Sequence, residues 1–239
     1  MAASRFITSS GRKVKGAPFM KSRTKLFLEL TRRKADPFAI LNMLALRKAL
    51  AGCNSVLDIG CSSSSTMRTL GVRNIIGFEG YLPFVEKARQ LHTHDQMVHG
   101  NISDLSDYFQ PKQFDACIAM DVIEHFQKPD GLKLMQTMEQ IARKRVVFFT
   151  PNGFLPQGHT AQDDFEVHLS GWETNEMRGY GYQVYGALGP KSLRGEYHFL
   201  KHRPRAFWGL VSLFGHGFWT RWQPQNAAAI LCVKNLAVV

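Results

Sequence analysis

Two acidic residues stand where a parallel sheet would present them to a ligand. Asp58 lies within the apolar run 56–59, and Glu79 ends a second apolar run at 74–78. A carboxylate inside an apolar strand is costly unless it is hydrogen-bonded, and an acid at the end of the second strand of a βαβ unit can bind the hydroxyls of a ribose. Gly60 ends the first run and allows a turn in which the backbone passes close to a ligand. These residues predict a cofactor that contains a nucleoside.

The turn after the first run argues against a dinucleotide. A dinucleotide-binding fold has the pattern G-x-G-x-x-G at this point. Residues 60–66 instead read Gly-Cys-Ser-Ser-Ser-Ser-Thr, with one glycine and neither Lys nor Arg. Nothing in this turn is suited to a pyrophosphate. Because Asp58 lies in the strand itself, the sequence favours a ligand that carries an amino group.

Four motifs together resemble those of the class I S-adenosylmethionine (SAM) methyltransferases. Residues 56–61, Val-Leu-Asp-Ile-Gly-Cys, resemble motif I, and Phe-Glu at 78–79 resembles the acidic loop. Gly-Asn-Ile at 100–102 resembles the adenine loop, and residues 114–125 resemble the fourth strand and the turn after it. The resemblance extends over residues 38–190 and the last strand. It implies SAM as the cofactor, bound by Asp58, Gly60, Cys61, Ser62, Glu79, Gly80, Asn101, Ile102 and Met120.

The chain departs from that family at three positions of the cofactor motifs. Ser62 and Ser64 stand where the family usually has glycine, and Asn101 stands where it often has aspartate. Serine is small and can donate a hydrogen bond, so we expect SAM binding with a different loop shape. The alternative is a SAM-fold protein that has lost catalysis and acts as a binding subunit.

The alternation of apolar runs with helical segments predicts an α/β fold. We expect a doubly wound, mostly parallel seven-stranded sheet with an antiparallel last strand, the Rossmann-like fold of class I methyltransferases. Asp36-Pro37 is a start signal for a helix that runs to about Leu50. The strands are predicted at 55–59, 74–78, 96–98, 114–119, 145–150, 182–185 and 228–233, and the other helices at 65–71, 83–91, 104–109, 129–143 and 173–179.

The charge of the chain is concentrated at its two ends. The net charge is +11, of which residues 1–34 carry +9 and residues 191–239 carry +6, while the intervening part is mildly acidic. We predict a basic flexible arm at 1–34 and a methyltransferase domain at 35–239 with a basic, aromatic insertion at 191–225. The arm is interpreted as a solubilising tail, as a segment that binds anionic lipid or nucleic acid, or as an organellar transit peptide.

Cysteine usage and hydropathy favour a cytoplasmic location. The four cysteines show no paired spacing typical of metal ligands, and two lie in or beside predicted core strands. This pattern fits a reducing compartment. The longest strongly apolar run, 206–219, contains glycines and a histidine and is too short to span a bilayer.

Three polar residues are candidate catalytic residues. Asp121, His125 and His168 are expected at the carboxyl edge of the sheet, where open α/β sheets bind ligands. Methyl transfer to a hydroxyl requires removal of a proton, and a histidine that titrates near neutral pH does this well. The alternatives are structural: His125 would close the cofactor cleft, and His168 would bond to the backbone of its loop.

A metal-dependent alternative rests on a second resemblance. Asp121, Glu124, His125 and His168 resemble the acid-x-x-Glu-His and later His of the small-RNA 2′-O-methyltransferases, which hold a divalent cation against the terminal ribose. Oxygen and nitrogen ligands of this kind suit Mg²⁺ or Mn²⁺. This chain has Asp at the first position and lacks that family's additional histidines near His125. We therefore predict no metal site and keep RNA methylation as the alternative.

The C-terminal half resembles methyltransferases of bacterial surface-polysaccharide gene clusters. The resemblance rests on Thr-Pro-Asn-Gly-Phe at 150–154, Gln157, His-Leu-Ser-Gly-Trp at 168–172, and Gly-Tyr-Gln-Val at 181–184 with Gly186. It implies a sugar hydroxyl on a nucleotide- or lipid-linked glycan as the acceptor. The predicted activity is therefore O-methylation of a small-molecule or glycan acceptor.

The segment 205–222 combines tryptophans and phenylalanines with flanking arginines. This composition is typical of a segment at a membrane interface, so we predict peripheral contact with an anionic membrane. The alternatives are a helix packed on the sheet or a dimer contact. No oligomeric state is predicted.

Overall fold

The computed structural model describes residues 37–63, 66–156, 167–195 and 198–237. The predicted arm at 1–34 lies outside the described residues. The helices are α1 Pro37–Ala49, α2 Leu82–Leu91, α3 Leu105–Tyr108, α4 Lys128–Ile141, α5 Thr174–Gly179 and α6 Arg205–Gly215. The strands are β1 Ser55–Ile59, β2 Asn74–Glu79, β3 Gln96–His99, β4 Phe114–Met120, β5 Ala142–Pro151, β6 Gln183–Pro190 and β7 Ala227–Asn235.

The seven strands form one sheet in the order β3-β2-β1-β4-β5-β7-β6. Strand β7 is antiparallel to both β5 and β6, and the other pairs are parallel. This confirms the predicted fold class. The central strands are almost wholly apolar because helices cover both faces of a parallel sheet, and β4 is buried along nearly its whole length.

The strand order reverses at β1, which pairs with β2 on one side and β4 on the other. Open α/β sheets bind ligands in the crevice outside the carboxyl ends of the strands at such a point. The turns after β1, β2 and β4 all leave the sheet at this edge. They carry most of the residues that the sequence predicts for the cofactor.

One predicted helix is replaced by a short turn, and the predicted insertion at 191–225 contains helical segments. The predicted helix at 65–71 is a single 3₁₀ turn, Thr66–Thr69. Serine favours turns over helix interiors because its hydroxyl competes for the backbone, and the run of serines before Thr66 leaves too few residues for an α-helix before Gly71. The segment between β6 and β7 contains α6, which continues into a π-helical turn, His216–Thr220, and a 3₁₀ turn, Pro224–Asn226.

Among the described residues, none of the helices has the length and apolar character that a membrane span requires. The four cysteines form no disulfide and are all buried.

Candidate functional site

Glu79 holds the turn after β1 with both of its carboxylate oxygens. Oε2 accepts a hydrogen bond from the Ser62 N–H at 2.8 Å, and Oε1 accepts one from the Tyr81 N–H at 2.9 Å. The residue is 8% exposed. A carboxylate has about four lone-pair sites, so two remain for the hydroxyls of a ribose. Glu79 is therefore fixed in place at the end of β2 and still able to bind a ligand.

The turn itself requires unusual backbone geometry. Gly60 has φ of 63°, and a Cβ there would lie 2.5 Å from Cγ2 of Val122. Ser62 also has a positive φ, 51°, where the related family usually has glycine. A turn with such close backbone packing can bring its N–H groups near a ligand. These features fit the nucleoside and amino acid parts of SAM.

Asp58 has a protein partner that the sequence did not reveal. Its Oδ2 lies 3.1 Å from Nε2 of His94, and Nδ1 of the same ring lies 2.8 Å from the Thr93 hydroxyl. Burial raises the pKa of Asp58, and the contact with His94 acts in the opposite direction. The histidine lies just before β3, where no motif marks it. Binding of the cofactor by Asp58 stays a prediction.

The other predicted cofactor residues lie in the turns at the same edge. The Cys61 side chain packs on Met97, with 3.9 Å between the sulfurs, so only its backbone is available to a ligand. Asn101 caps the turn Ile102–Asp104 by accepting the Ser103 N–H at 3.0 Å. The Gly80 carbonyl lies 3.0 Å from Nε2 of His99. Met120 is half-buried at the end of β4.

On the acceptor side, the structure brings two predicted catalytic histidines together. The ring centroids of His125 and His168 are 5.0 Å apart. Nδ1 of His125 lies 3.1 Å from the Val167 carbonyl, and Nδ1 of His168 lies 2.7 Å from the Leu155 carbonyl. Because a carbonyl only accepts hydrogen bonds, each Nδ1 carries the proton. In each neutral ring, Nε2 is then left to accept a proton or to bind a cation.

Glu124 lies beside these histidines and is almost fully buried, at 2% exposed. Its Oε2 accepts a hydrogen bond from the Thr150 hydroxyl at 3.0 Å, whereas Oε1 has no partner among the described residues. Glu124, His125 and His168 each offer one atom that could bind a metal ion, and these three atoms lie within 4.8 Å of one another. Burial raises the pKa of Glu124 to about 8, and the nearby Asp121 carboxylate adds to this rise.

Asp121 and His168 differ in their exposure to solvent. Asp121 has φ of 52°, donates its N–H to the Phe149 carbonyl at 2.8 Å, and is exposed as a residue at the edge of the sheet. Its carboxyl group is nevertheless enclosed, and this burial raises the pKa of Asp121 to about 7. His168 is 8% exposed. Burial lowers the pKa of His168, and the adjacent His125 lowers it too, against the opposing effect of the Leu155 carbonyl. His168 is therefore neutral at pH 7, as a base must be.

The segment 168–172 is fastened to the turn Ile123–His125. The N–H groups of Leu169 and Ser170 both donate to the Glu124 carbonyl, at 2.8 and 3.0 Å. Trp172 is fully buried and donates Nε1–H to the Ser170 hydroxyl at 3.0 Å. Ser170 and Trp172 thus have structural roles, and they hold His168 against His125.

Gly171 is required for this attachment. A Cβ at this position would lie 2.5 Å from Cα of Phe154 and nearer still to its backbone nitrogen. We expect Gly171→Ala to lower the free energy of unfolding by about 3 kcal/mol because backbone atoms must move to relieve the overlap. Urea denaturation measures the change. Gly179→Ala is the matched control, since a Cβ there meets nothing within 4 Å, and an equal loss in both variants would contradict the packing argument.

Two other polar residues have roles that the sequence did not indicate. Asn152 is structural: its side-chain amide donates to the carbonyls of Pro224, Gln225 and Ala227 at 2.8–3.1 Å. His198 lies near His168. Burial, with the nearby charges of Arg194 and His168, lowers the pKa of His198 to about 4. No motif in the insertion at 191–225 could have identified this residue.

Comparison with known proteins agrees with the fold and with SAM as the cofactor. Residues 57–150 match a family described as a methyltransferase domain. The methyltransferase domain of bacterial CtHen1-C is structurally similar, with a TM-score of 0.52 at 14% identity over 82% of this chain and 97% of that one. A chain from the complex between the Haloferax volcanii Trm112 methyltransferase activator and a methyltransferase gives 0.51 at 16% identity over 80% of this chain and 87% of that one. No curated protein matches the chain in sequence.

The chain has the fold of the class I SAM-dependent methyltransferases, and part of it matches a methyltransferase domain. The matched segment, 57–150, carries a methyltransferase domain, and SAM is the methyl donor. That segment contains both acids of the cofactor site and the turn Ile123–His125. His168 lies outside that segment.

Proposed function

We propose that the protein transfers the methyl group of SAM to a hydroxyl of a sugar-containing acceptor, with His168 as the general base. One observation carries the proposal: the rings of His125 and His168 lie 5.0 Å apart, and each has its Nδ1 against a backbone carbonyl, so that Nε2 is the nitrogen left to accept a proton. The carbonyls of Leu155 and Val167 fix the tautomer of both rings. A base whose proton-accepting atom is held in place needs no rearrangement before it acts.

Different residues of this chain remove the proton and orient the acceptor. When bound, SAM supplies a methyl group that the acceptor oxygen attacks as the carbon–sulfur bond breaks. Nε2 of His168 takes the proton that the hydroxyl loses. The neighbouring His125 orients the same hydroxyl, and the carboxyl group of Asp121 can accept a hydrogen bond from a second hydroxyl of the acceptor. Vicinal hydroxyls of this kind are typical of sugars.

The acceptor class is supported by the resemblance of residues 150–154 and 168–172 to polysaccharide-cluster methyltransferases. The test is a mass-spectrometric comparison of glycans and lipids from cells with and without the gene. We expect a glycan species that is heavier by one CH₂ only when the gene is present. Identical glycan profiles, together with a methylated RNA terminus that depends on the gene, would contradict the sugar acceptor.

A second candidate function is metal-dependent RNA 2′-O-methylation. The observation that favours it is the cluster of Glu124, His125 and His168, in which a buried carboxylate oxygen has no hydrogen-bond partner. Histidines that bind metal usually donate their other ring N–H to a carbonyl or carboxylate, as both do here. The Nε2 atoms and Oε1 would hold a divalent cation such as Mn²⁺, which would orient the terminal ribose hydroxyls.

Removal of divalent cations separates the two candidates. We expect EDTA to leave methyl transfer unchanged, because a neutral histidine removes the proton without a metal. Loss of activity with EDTA and its recovery with Mn²⁺ would favour metal-dependent RNA 2′-O-methylation. Calorimetric titration with Mn²⁺ alone gives an independent measurement, in which a heat signal for the wild type that is absent in Glu124→Gln would locate the cation.

A further inference from the structure

The segment formed by α6 and the π-helical turn buries its polar face and exposes its apolar face, which is the reverse of the usual arrangement in a helix at a protein surface. Its buried side chains are Ser212, His216 and Thr220, spaced by four residues. Its most exposed side chains are apolar and lie three or four residues apart. The aromatic ridge is our name for Phe207, Leu210, Phe214 and Phe218 of this segment together with Trp222 in the turn that follows it; these five residues are 56–77% exposed. Residues at this spacing share one face of a helix, so the four residues of the segment form a continuous face.

Close packing against β6 keeps the aromatic ridge turned outward. A Cβ at Gly189 would lie 2.7 Å from the Ser212 carbonyl oxygen, and one at Gly186 would lie 2.7 Å from the Thr220 carbonyl carbon. Gly215 approaches Pro190 in the same way, with 2.8 Å between its built Cβ and the proline ring. Only small side chains fit between the helix and the strand. The phenylalanines therefore cannot turn inward without separating α6 from the sheet.

The charges around the aromatic ridge have one sign. Residues 198–226 contain four Lys and Arg and no Asp or Glu. Lys201, Arg203 and Arg205 are exposed at the start of α6, and Arg221 lies at the other end beside Trp222. Large contiguous apolar patches on a protein surface mark interaction sites. An apolar face between cations is complementary to an anionic bilayer, whose phosphates meet the arginines while aromatic rings enter the interface.

We propose that the aromatic ridge docks this protein on an anionic lipid bilayer. Resting on the proposed function, we infer further that the sugar acceptor is linked to a lipid, so that docking brings its hydroxyl to His168. The four cations contact lipid phosphates, and the ridge enters the region of the headgroups and upper acyl chains. Docking needs no membrane-spanning segment.

A cavity extends from the aromatic ridge to His198, the histidine that lies near His168. It has a volume of about 380 Å³ and lies between α6 on one side and Arg194 with residues 198–200 on the other. Phe199, Leu200 and Leu213 form much of its apolar lining, Leu210 joins it to the ridge, and His198 lines it from the direction of His168. An acceptor whose hydrocarbon part lies in this cavity would place its polar part near the catalytic histidines.

Vesicle flotation of the full-length protein tests the docking surface. The vesicles consist of phosphatidylcholine alone or of phosphatidylcholine with phosphatidylglycerol. We expect stronger binding to the anionic vesicles and about a fivefold loss in the partition coefficient for each of Arg203→Gln and Arg205→Gln. At raised salt, where charge is screened, the double variant Phe214→Ser/Phe218→Ser should lose at least about 100-fold relative to the wild type. The matched control is Leu44→Ser/Leu91→Ser, which alters two exposed leucines of α1 and α2.

The outcomes distinguish the bilayer from other partners. Circular dichroism and SAM affinity first confirm that each variant is folded. Equal partition of the wild type and of the Phe214/Phe218 variant overturns the proposal. So does a wild-type dimer that the same variant dissociates, without vesicle binding, because the ridge would then join two copies of this chain. Flotation uses no acceptor, so its result is independent of the methyl-transfer assay. The docking proposal can be overturned while the proposed function stands, and the proposed function can be overturned while the docking proposal stands.

Discussion

Replacing His168 with alanine is expected to lower kcat at least 100-fold, a loss of about 3 kcal/mol in transition-state stabilisation. The variant loses the atom that accepts the hydroxyl proton, whereas the turns of β1 and β2 that are predicted to bind SAM are untouched. The Kd for SAM, measured by calorimetry, should stay within about twofold of the wild-type value. Turnover is followed with the glycan acceptor that the mass-spectrometric comparison identifies.

The pH profile gives this prediction a second readout. The neutral form of His168 is the active one, and its pKa lies below the usual value because of burial. The wild-type rate should therefore rise as pH increases through that pKa, which lies on the acid side of 6.5, and stay level above it. His202→Ala, in an exposed loop, is the matched control. Normal turnover in His168→Ala would assign this histidine a structural role alone.

Replacing Glu79 with alanine is expected to weaken SAM binding at least tenfold, and by more if the turn also moves. Each charge-assisted hydrogen bond from a ribose hydroxyl to this carboxylate contributes about 1.5–3 kcal/mol. The substitution also removes the acceptor that holds the Ser62 N–H. Calorimetric titration with SAM measures the loss. Glu86→Ala, an exposed acid on α2, is the matched control.

Asp58→Ala is expected to have a comparable effect on SAM affinity, and the structure supplies a control for it. Because Asp58 contacts His94, part of any loss would come from the freed histidine. The variant His94→Gln removes that contact while it keeps the carboxylate. Unchanged affinity in folded Glu79→Ala and Asp58→Ala would contradict the cofactor assignment. A wild-type protein that binds SAM and methylates no acceptor would instead support the non-catalytic alternative.

The sequence predicted the strands well where burial decides the pattern. Strand β1 has the predicted bounds, because its apolar residues are enclosed by β2 and β4 on either side. The prediction of a helix at 65–71 was wrong, because it gave more weight to a local pattern of apolar residues than to the preference of serine for turns. The cofactor edge was predictable because its residues follow neighbouring strands in a fixed order.

The acceptor side was predictable only in part. Asp121, His125 and His168 were identified by residue type and position. The attachment of Trp172 to the turn Ile123–His125, and the contact of Asp58 with His94, join residues that are far apart along the chain. No periodicity or motif records such pairings. The outward direction of the aromatic ridge likewise depends on the close approach of the helical segment to Gly186 and Gly189 of β6. The sequence alone does not show which segment packs against these glycines.

The reactivity of the four buried thiols can be used to measure local unfolding of the sheet. Cys53 and Cys61 flank β1, Cys117 lies in β4 and Cys232 lies in β7. Burial raises the pKa of each thiol, so almost no thiolate forms in the folded state, and a thiol-specific reagent reacts only after the sheet opens. The rate at which each cysteine is labelled therefore measures how often its own strand separates from its neighbours. The order of labelling would show whether the cofactor half of the sheet opens before the half that carries β7.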